Sequence, residues 1–382
     1  MLKQQKIFFD FLRFCIGSAK EIPGSLKEVD WKELYAIAQK QALLGVLFYG
    51  IRQLPKKLAP EQKLLMQWMV MAEMIRKQNI RLFQDSVKVC KNFENKGFAN
   101  CILKGQGNAL LYPDPYMRTP GDIDIYLSGG RRKRVMQYIN KVCPNQVMRY
   151  HHVDFPVMKT AIEVHFTPSY MFFPIHNSRM QKWFKEVMGE QCNHRVSLPD
   201  GYGEIHVPQV SFNVIYILSH LYRHIFTEGI GLRQLLDYYF VLVKWHTDLT
   251  NLTDSNKSLP QMTQINTDLD TLRHELKYLG LWKFAQAVMY VLHEVFGLSE
   301  DRMIAPMDER EGRFLLDEIM RGGNFGQYDD RMGSKVGESK IHRYFRMNLR
   351  NLRFVKHYPT EALSEPLFRT WFALWKKIHG IK

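Results

Sequence analysis

The sequence is poor in cysteine, with five in 382 residues: Cys15, Cys90, Cys101, Cys143 and Cys192. Their number is odd, their spacings are wide and no Cys-x-x-Cys occurs, which argues against a disulfide framework or a zinc knuckle. No apolar run reaches the ~18 residues that a membrane-crossing helix needs. The N-terminus, Met1 to Lys20, breaks its apolar residues with Lys3, Lys6, Asp10 and Arg13, as an amphipathic helix does and a signal peptide does not. The expected location is the cytoplasm. Acid is also short: 38 Asp and Glu stand against 53 Lys and Arg, a formal charge of +15. That excess favours an anionic partner such as a nucleotide, a nucleic acid or an acidic surface, although a soluble surface alone gives the same sign.

What remains is ordinary globular composition, 46% hydrophobic and 24% charged, in a chain long enough for two or three domains. Residues 1–96 have helical periodicity, with Phe8, Phe9, Leu12 and Cys15 on one face, a second helix after Asp30 and a long helix over Gln62 to Glu94. The pattern changes near Gly97. Cys101-Ile102-Leu103 is a short buried strand that ends at Lys104-Gly105, and Pro113, Pro115, Pro120 and Gly121 punctuate a loop. Gly121 to Leu127 alternates polar and apolar as a half-buried strand. Gly129-Gly130 ends it, a helix follows over Arg131 to Val142, and Val147 to Met158 with Thr160 to Phe166 form a hairpin. Residues 97–205 are therefore expected to be an α+β domain and 206–382 a helical one. Within the latter, Val214 to Lys244 holds one or two helices, Thr247 to Asp268 is a surface loop, and helices span Leu269 to Phe296, Glu309 to Arg321 and the basic segment Lys340 to Lys382.

Asp122 and Asp124 are two apart on a strand, so their side chains leave the same face. Adjacent carboxylates repel unless a cation lies between them, and oxygen ligands suit Mg²⁺ or Mn²⁺. In Ala161-Ile162-Glu163-Val164-His165-Phe166, Glu163 and His165 share one face of a second strand. If that strand neighbours the first, three carboxylates converge, as two-metal phosphoryl transfer requires. Upstream, Lys104-Gly105-Gln106-Gly107-Asn108 follows a strand and opens a short helix, where backbone amides can approach a phosphate; GxxxxGK[ST] is absent. Arg118 is a candidate phosphate partner.

Leu103-Lys104-Gly105, Tyr112-Pro113-Asp114-Pro115 with Arg118, Gly121-Asp122-Ile123-Asp124-Ile125 and Ile162-Glu163-Val164-His165, in this order, resemble the uncharacterised nucleotidyltransferase family of the polymerase-beta-like nucleotidyltransferase superfamily. Later residues share the resemblance: His220 and His224, Gly229-Ile230-Gly231-Leu232-Arg233 with Asp237, and Gly322-Gly323-Asn324-Phe325-Gly326. The resemblance implies a polymerase-beta-like sheet domain flanked by helical regions. It implies Asp122, Asp124 and Glu163 as metal-binding catalytic carboxylates, with Mg²⁺ or Mn²⁺ as cofactor and an NTP as substrate. An acceptor hydroxyl on a small molecule, a protein or an RNA end would attack the α-phosphorus and pyrophosphate would leave. The superfamily turn carries Gly-Ser or Gly-Gly; here it is Gly105-Gln106. Lys104, Gly105, Gln106, Arg118, His220, His224 and Arg233 are the nucleotide-binding candidates.

His220 and His224 lie one turn apart, without HExxH, on a helix expected to wall the cleft together with Arg223, Arg233 and Asp237. Packing as satisfied histidines explains them as well. Arg343, Arg346, Arg350 and Arg353 share a helical face that could bind a nucleic-acid backbone, although a solvated face is the commoner use of such a stripe. His151 and His152 fit no zinc spacing and read as hairpin residues. Two other functions compete: a catalytically silent nucleotide- or nucleic-acid-binding protein of the same fold, and a glycosyltransferase with a metal-binding DxD. The latter would place its DxD after alternating strands and helices, whereas residues 1–96 are helical in pattern.

Overall fold

The computed structural model describes residues 3–128, 132–254, 268–331 and 339–379. The fold is a helix-rich α+β arrangement built on two buried clusters. Three helices, α1 (Lys3–Cys15), α2 (Trp31–Lys40) and α3 (Leu44–Ile51), lead into the 33-residue α4 (Gln62–Glu94). Asp30 caps α2 by accepting from the amides of Lys32 and Glu33, which fixes the start seen in the sequence. Trp68 of α4 donates its indole N–H to the Leu44 carbonyl and ties α4 to α3.

The sheet follows: β1 (Ala99–Ile102), β2 (Ile123–Ser128), β3 (His152–Asp154) and β4 (Ile162–His165), in spatial order β1-β2-β4-β3. β1 is antiparallel to β2, β2 parallel to β4, and β3 antiparallel to β4. Ile123, Ile125, Leu127, Ile162, Val164 and Val153 supply one face, which packs on Leu82, Phe83, Val87 and Phe93 of α4 and on Val135 and Ile139 of α6 (Arg132–Val142). The second half of α4 thus belongs to the sheet's core although its sequence lies in the N-terminal helical region. The opposite face of the sheet carries the polar residues. Between the strands sit the one-turn α5 (Gln106–Ala109) and, after β4, α7 (Pro174–Gln191); a small hairpin, β5 (Arg195–Ser197) with β6 (Glu204–His206), closes this part of the chain.

From Val210 on, the described residues are mainly helical: α8 (Val210–Thr227), α9 (Leu232–Asp254), α10 (Leu269–Tyr278), α11 (Trp282–Phe296), α12 (Glu309–Gly322), α13 (Lys340–Val355) and α14 (Pro359–Ile378). Two expectations are corrected here. α9 continues to Asp254, into the stretch expected to be a loop from Thr247, and residues 255–267 lie outside the described residues, as do Gly129, Gly130 and Arg131. Leu269 to Phe296 is two helices, because Gly280 adopts φ +76° and turns the chain between α10 and α11. No helix among the described residues is long and apolar enough to cross a membrane.

The arginine stripe of α13 is also corrected. Arg350 is buried with its Nε 3.7 Å from Asp329, and Arg353 pairs with Glu318 and approaches Asp329 at 3.8 Å. Arg346 Nη1 donates to the Arg331 carbonyl, and Arg331 itself bridges Glu318 and Asp329. These charges hold α13 against α12 and the turn after it; the side chain of Arg343 lies outside the described part of the structure. The more exposed face of α13 carries Phe345, Leu349 and Leu352. Arg350→Ala is accordingly expected to lower the midpoint of urea unfolding by the equivalent of about 2 kcal/mol, since it unbalances a buried acid. An unchanged midpoint would show that the stripe is not structural.

Candidate active site

Register puts the chemistry in rows. Asp124 on β2 lies beside Glu163 on β4, and Glu163 beside Asp154 on β3; one row along, Tyr126, His165 and His152 align. Alternation sends all six side chains to the face away from α4. Three carboxylates in one cross-strand row repel each other. Asp124 and Glu163 of this row, with Asp122, floor a cleft of about 350 Å³ whose other wall is α8 and the start of α9.

Asp124 is the most enclosed acid of the row, 3% exposed. Its Oδ2 accepts from Lys104 Nζ and its Oδ1 from His165 Nε2, each at 2.9 Å. Burial alone would raise its pKa, but Lys104 and His165 hold the carboxyl far below the usual carboxylate range. In the same way burial would lower Lys104 and His165, and the surrounding carboxylates outweigh it, raising both. Glu163 lies 3.1 Å from His152 Nδ1 and 3.6 Å from His165 Nε2; burial raises it, the hydrogen bond with His165 lowers it, and the net direction is down.

Asp122 stands just before β2, which begins at Ile123 rather than at Gly121. It is half-buried in the cleft, and the Asp124 charge, with burial, pushes its pKa up to about 6 against the pull of Lys104. A divalent cation would relieve this repulsion. Asp124, Glu163 and His165 each offer a ligand atom, and these atoms lie within 4.8 Å of one another. The residues present fit a divalent ion, on the condition that it displaces Lys104 from Asp124.

The facing wall is cationic. Arg118 grips Asp237 with two parallel bonds, Nε to Oδ1 at 2.8 Å and Nη2 to Oδ2 at 2.7 Å, while Tyr112 donates to the same acid at 2.6 Å. The fork of Arg118 is therefore committed to Asp237, and its Nη1 alone is buried in the cleft without a partner. Arg233 is also buried, 3.9 Å from Asp237, with its guanidinium over the Phe325 ring and Nε unpartnered. Phe325 holds φ +50°, and Gly326 behind it presses so close to the Glu228 carbonyl that a Cβ would stand 1.9 Å away. On α8, Arg223 donates to His224 Nε2 at 2.8 Å, so His220 Nε2, 3.0 Å away, must be the donor of the second bond to that atom. His224 then carries its proton on Nδ1, 3.3 Å from Glu228. Burial keeps both rings neutral: His220 well below its ordinary value and His224 at about 4.

The structure brings Lys104, Gly105, Arg118, Asp122, Asp124, Glu163, His220, His224 and Arg233 to one cleft. It does not bring Gln106. That side chain is buried and donates to Asn79 Oδ1 on α4 at 3.2 Å, turned from the cleft. Asn79 in turn donates to the carbonyls of Tyr116 and Arg118 at 2.8 Å, so it pins the whole loop before β2; nothing in the spacing of α4 marks it. His151 and His152, expected to be hairpin residues, border the cleft, and the offset of β3 against His165 could have placed them there. Asn108 and Glu228 border it as well.

The model of a family described as uncharacterised nucleotidyltransferase matches residues 27–297, which include the sheet, every cleft-lining residue but Phe325, and helices α8 to α11. The chain belongs to this uncharacterised nucleotidyltransferase family. No curated protein and no solved structure matches it.

The raised Asp122 pKa has a consequence for stability. With an ordinary value of 3.8 and a folded value of about 6, the folded state binds the proton more tightly than the unfolded chain. Stability of the metal-free protein should therefore fall as pH rises between these values. Asp122→Asn removes the repulsion: above about pH 6 the variant should melt at a higher temperature than the parent, and the gap should close below about pH 4. Equal melting temperatures at pH 7 would contradict the Asp122–Asp124 repulsion.

Proposed function

We propose that this cleft transfers a nucleoside monophosphate from an NTP to an acceptor hydroxyl with release of pyrophosphate, in a polymerase-beta-like arrangement. The observation that carries it is the in-register pairing of Asp124 with Glu163, next to Asp122, across from a wall of buried cations with unsatisfied N–H groups. Mg²⁺ or Mn²⁺ held by Asp122, Asp124 and Glu163 would neutralise charge on the triphosphate and acidify the acceptor hydroxyl. The chain's own groups do the rest. Lys104, Arg118 Nη1 and Arg233 Nε supply donors to phosphate oxygens, replacing what a Gly-Ser turn would give. Gly105, with φ +58°, keeps the turn against the strand end, while His220 and His224 line the acceptor side. The acceptor oxygen forms the new bond to the α-phosphorus, the bond from that phosphorus to the bridging oxygen breaks, and the acceptor's proton passes to solvent or to Glu163. Nucleic acid binding through the α13 stripe is not part of this reading, because that stripe pairs inward.

Pyrophosphate release from each NTP with Mg²⁺ or Mn²⁺ and candidate acceptors, the protein itself included, tests the reading. Asp124→Asn and Glu163→Gln should each cut the rate by at least ~100-fold while nucleotide still binds. Rates that match the parent would reject these carboxylates as the site.

A second reading, nucleotide binding without turnover, rests on one observation: the Lys104 ammonium already sits on Asp124 at 2.9 Å, where a metal would go. The two diverge at Lys104→Met. If Lys104 leaves Asp124 when nucleotide and metal arrive, the variant binds Mn²⁺ more tightly, by about tenfold, and NTP more weakly. If Lys104 stands in for the metal permanently, Mn²⁺ affinity does not rise and pyrophosphate release stays at background under every condition.

A further inference from the structure

Nucleotidyl transfer leaves the outer edge of the carboxylate row unused. β3 is the edge strand of the sheet, and His152 and Asp154, two apart on it, face the same side as Glu163 of β4. His152, Asp154 and Glu163 each present a ligand atom within 4.8 Å of the other two. His152 Nδ1 stands 3.1 Å from Glu163 Oε2. Two ligands bound at ~2.1 Å and at right angles stand about 3 Å apart, so this pair already has the spacing of neighbours in a coordination sphere. Asp154 makes no ion pair among the described residues, although it is the register partner of Glu163 on the neighbouring strand. His151 packs its ring 4.4 Å from that of His152 and holds it in place. The pattern is the one a cation requires: a carboxylate pair that repels without it and an imidazole at ligand distance.

We propose that His152, Asp154 and Glu163 form a second divalent-cation site, sharing Glu163 with the Asp122–Asp124 pair, that takes imidazole-seeking ions such as Mn²⁺ or Co²⁺ in preference to Mg²⁺. An all-oxygen set accepts Mg²⁺ readily, whereas one imidazole shifts preference along the transition series. On the Asp124 side of Glu163 the imidazole of His165 is already bonded to Asp124, whereas on the β3 side His152 brings its nitrogen to Glu163 beside Asp154. The sheet therefore presents two candidate cation positions on either side of one carboxylate. This site stands apart from nucleotidyl transfer: it requires neither NTP nor turnover.

The test is pulsed electron paramagnetic resonance on the full chain loaded with Mn²⁺ alone, reading hyperfine coupling from a coordinated imidazole nitrogen. The parent and Asp122→Asn are expected to show the coupling, His152→Gln to lose it, and excess Mg²⁺ to leave the coupled Mn²⁺ in place. Asp154→Asn should retain the coupling with Mn²⁺ affinity at least ~10-fold weaker. Absence of nitrogen coupling in the parent overturns the proposal, as does coupling that survives His152→Gln, which would assign the nitrogen to His165 or His151. Should His152→Gln fail to fold by circular dichroism, Asp154→Asn decides alone, and unchanged Mn²⁺ affinity there rejects the site. Pyrophosphate is not measured, so a protein without transferase activity still either supports or rejects the second site.

Discussion

One buried anion organises the cleft. The Asp124 carboxylate has left water almost entirely, at a cost of several kcal/mol for an unpaired charge, and both of its oxygens are taken by charge-assisted bonds from Lys104 and His165. Those two partners come from different sheet elements, the end of β1 and strand β4. Holding Asp124 therefore also fixes the Lys104-Gly105 turn and the register of β4. Glu163 follows from the same register, and Asp122 stands in the field of Asp124, which Lys104 offsets only in part. A divalent ion held there, as proposed, would offset more of this repulsion than the single charge of Lys104 does.

The second wall depends on a matching acid. Asp237 on α9 draws in Arg118 from the loop before β2, Tyr112 and Arg233, so one buried carboxylate ties the sheet domain to the C-terminal helices. The positive charge of this wall is not fully spent: Arg118 Nη1 and Arg233 Nε remain unpaired in the cleft. Leaving buried donors unsatisfied costs free energy unless a ligand meets them, and a polyphosphate is the ligand that a ring of guanidinium and ammonium groups suits best. The net charge of the chain, +15, points the same way.

Much of this was legible in the sequence. Period-two alternation marks β2 and β4, and with them the common face of Asp124, Glu163 and His165, because side-chain direction in a strand is local. Asp30 caps α2 where it stands, and the long α4 carries its own periodicity. What was not legible is long-range. Arg118 looks free in sequence and is bound to Asp237, 119 residues away. Gln106 occupies a turn position that faces phosphate in the superfamily pattern, yet its partner is Asn79 on a helix that precedes the sheet. The arginines of α13 have the spacing of a solvated or nucleic-acid-binding face, and only the fold shows the acids beneath them, Glu318 on α12 and Asp329 in the turn after it. His151 and His152 match no zinc spacing along the chain, whereas their relation to Glu163 runs across strands.

The central claim is that the Asp122–Asp124–Glu163 row holds a catalytic cation and that the Asp237 wall holds the triphosphate. A crystal structure with Mn²⁺ and a non-hydrolysable NTP tests it most directly. The account predicts an anomalous Mn²⁺ peak among the three carboxylates, Lys104 moved from Asp124 to a phosphate oxygen, and phosphates within hydrogen-bonding distance of Arg118 Nη1 and Arg233. A structure with nucleotide bound, no metal peak at the row and Lys104 still seated on Asp124 would contradict it.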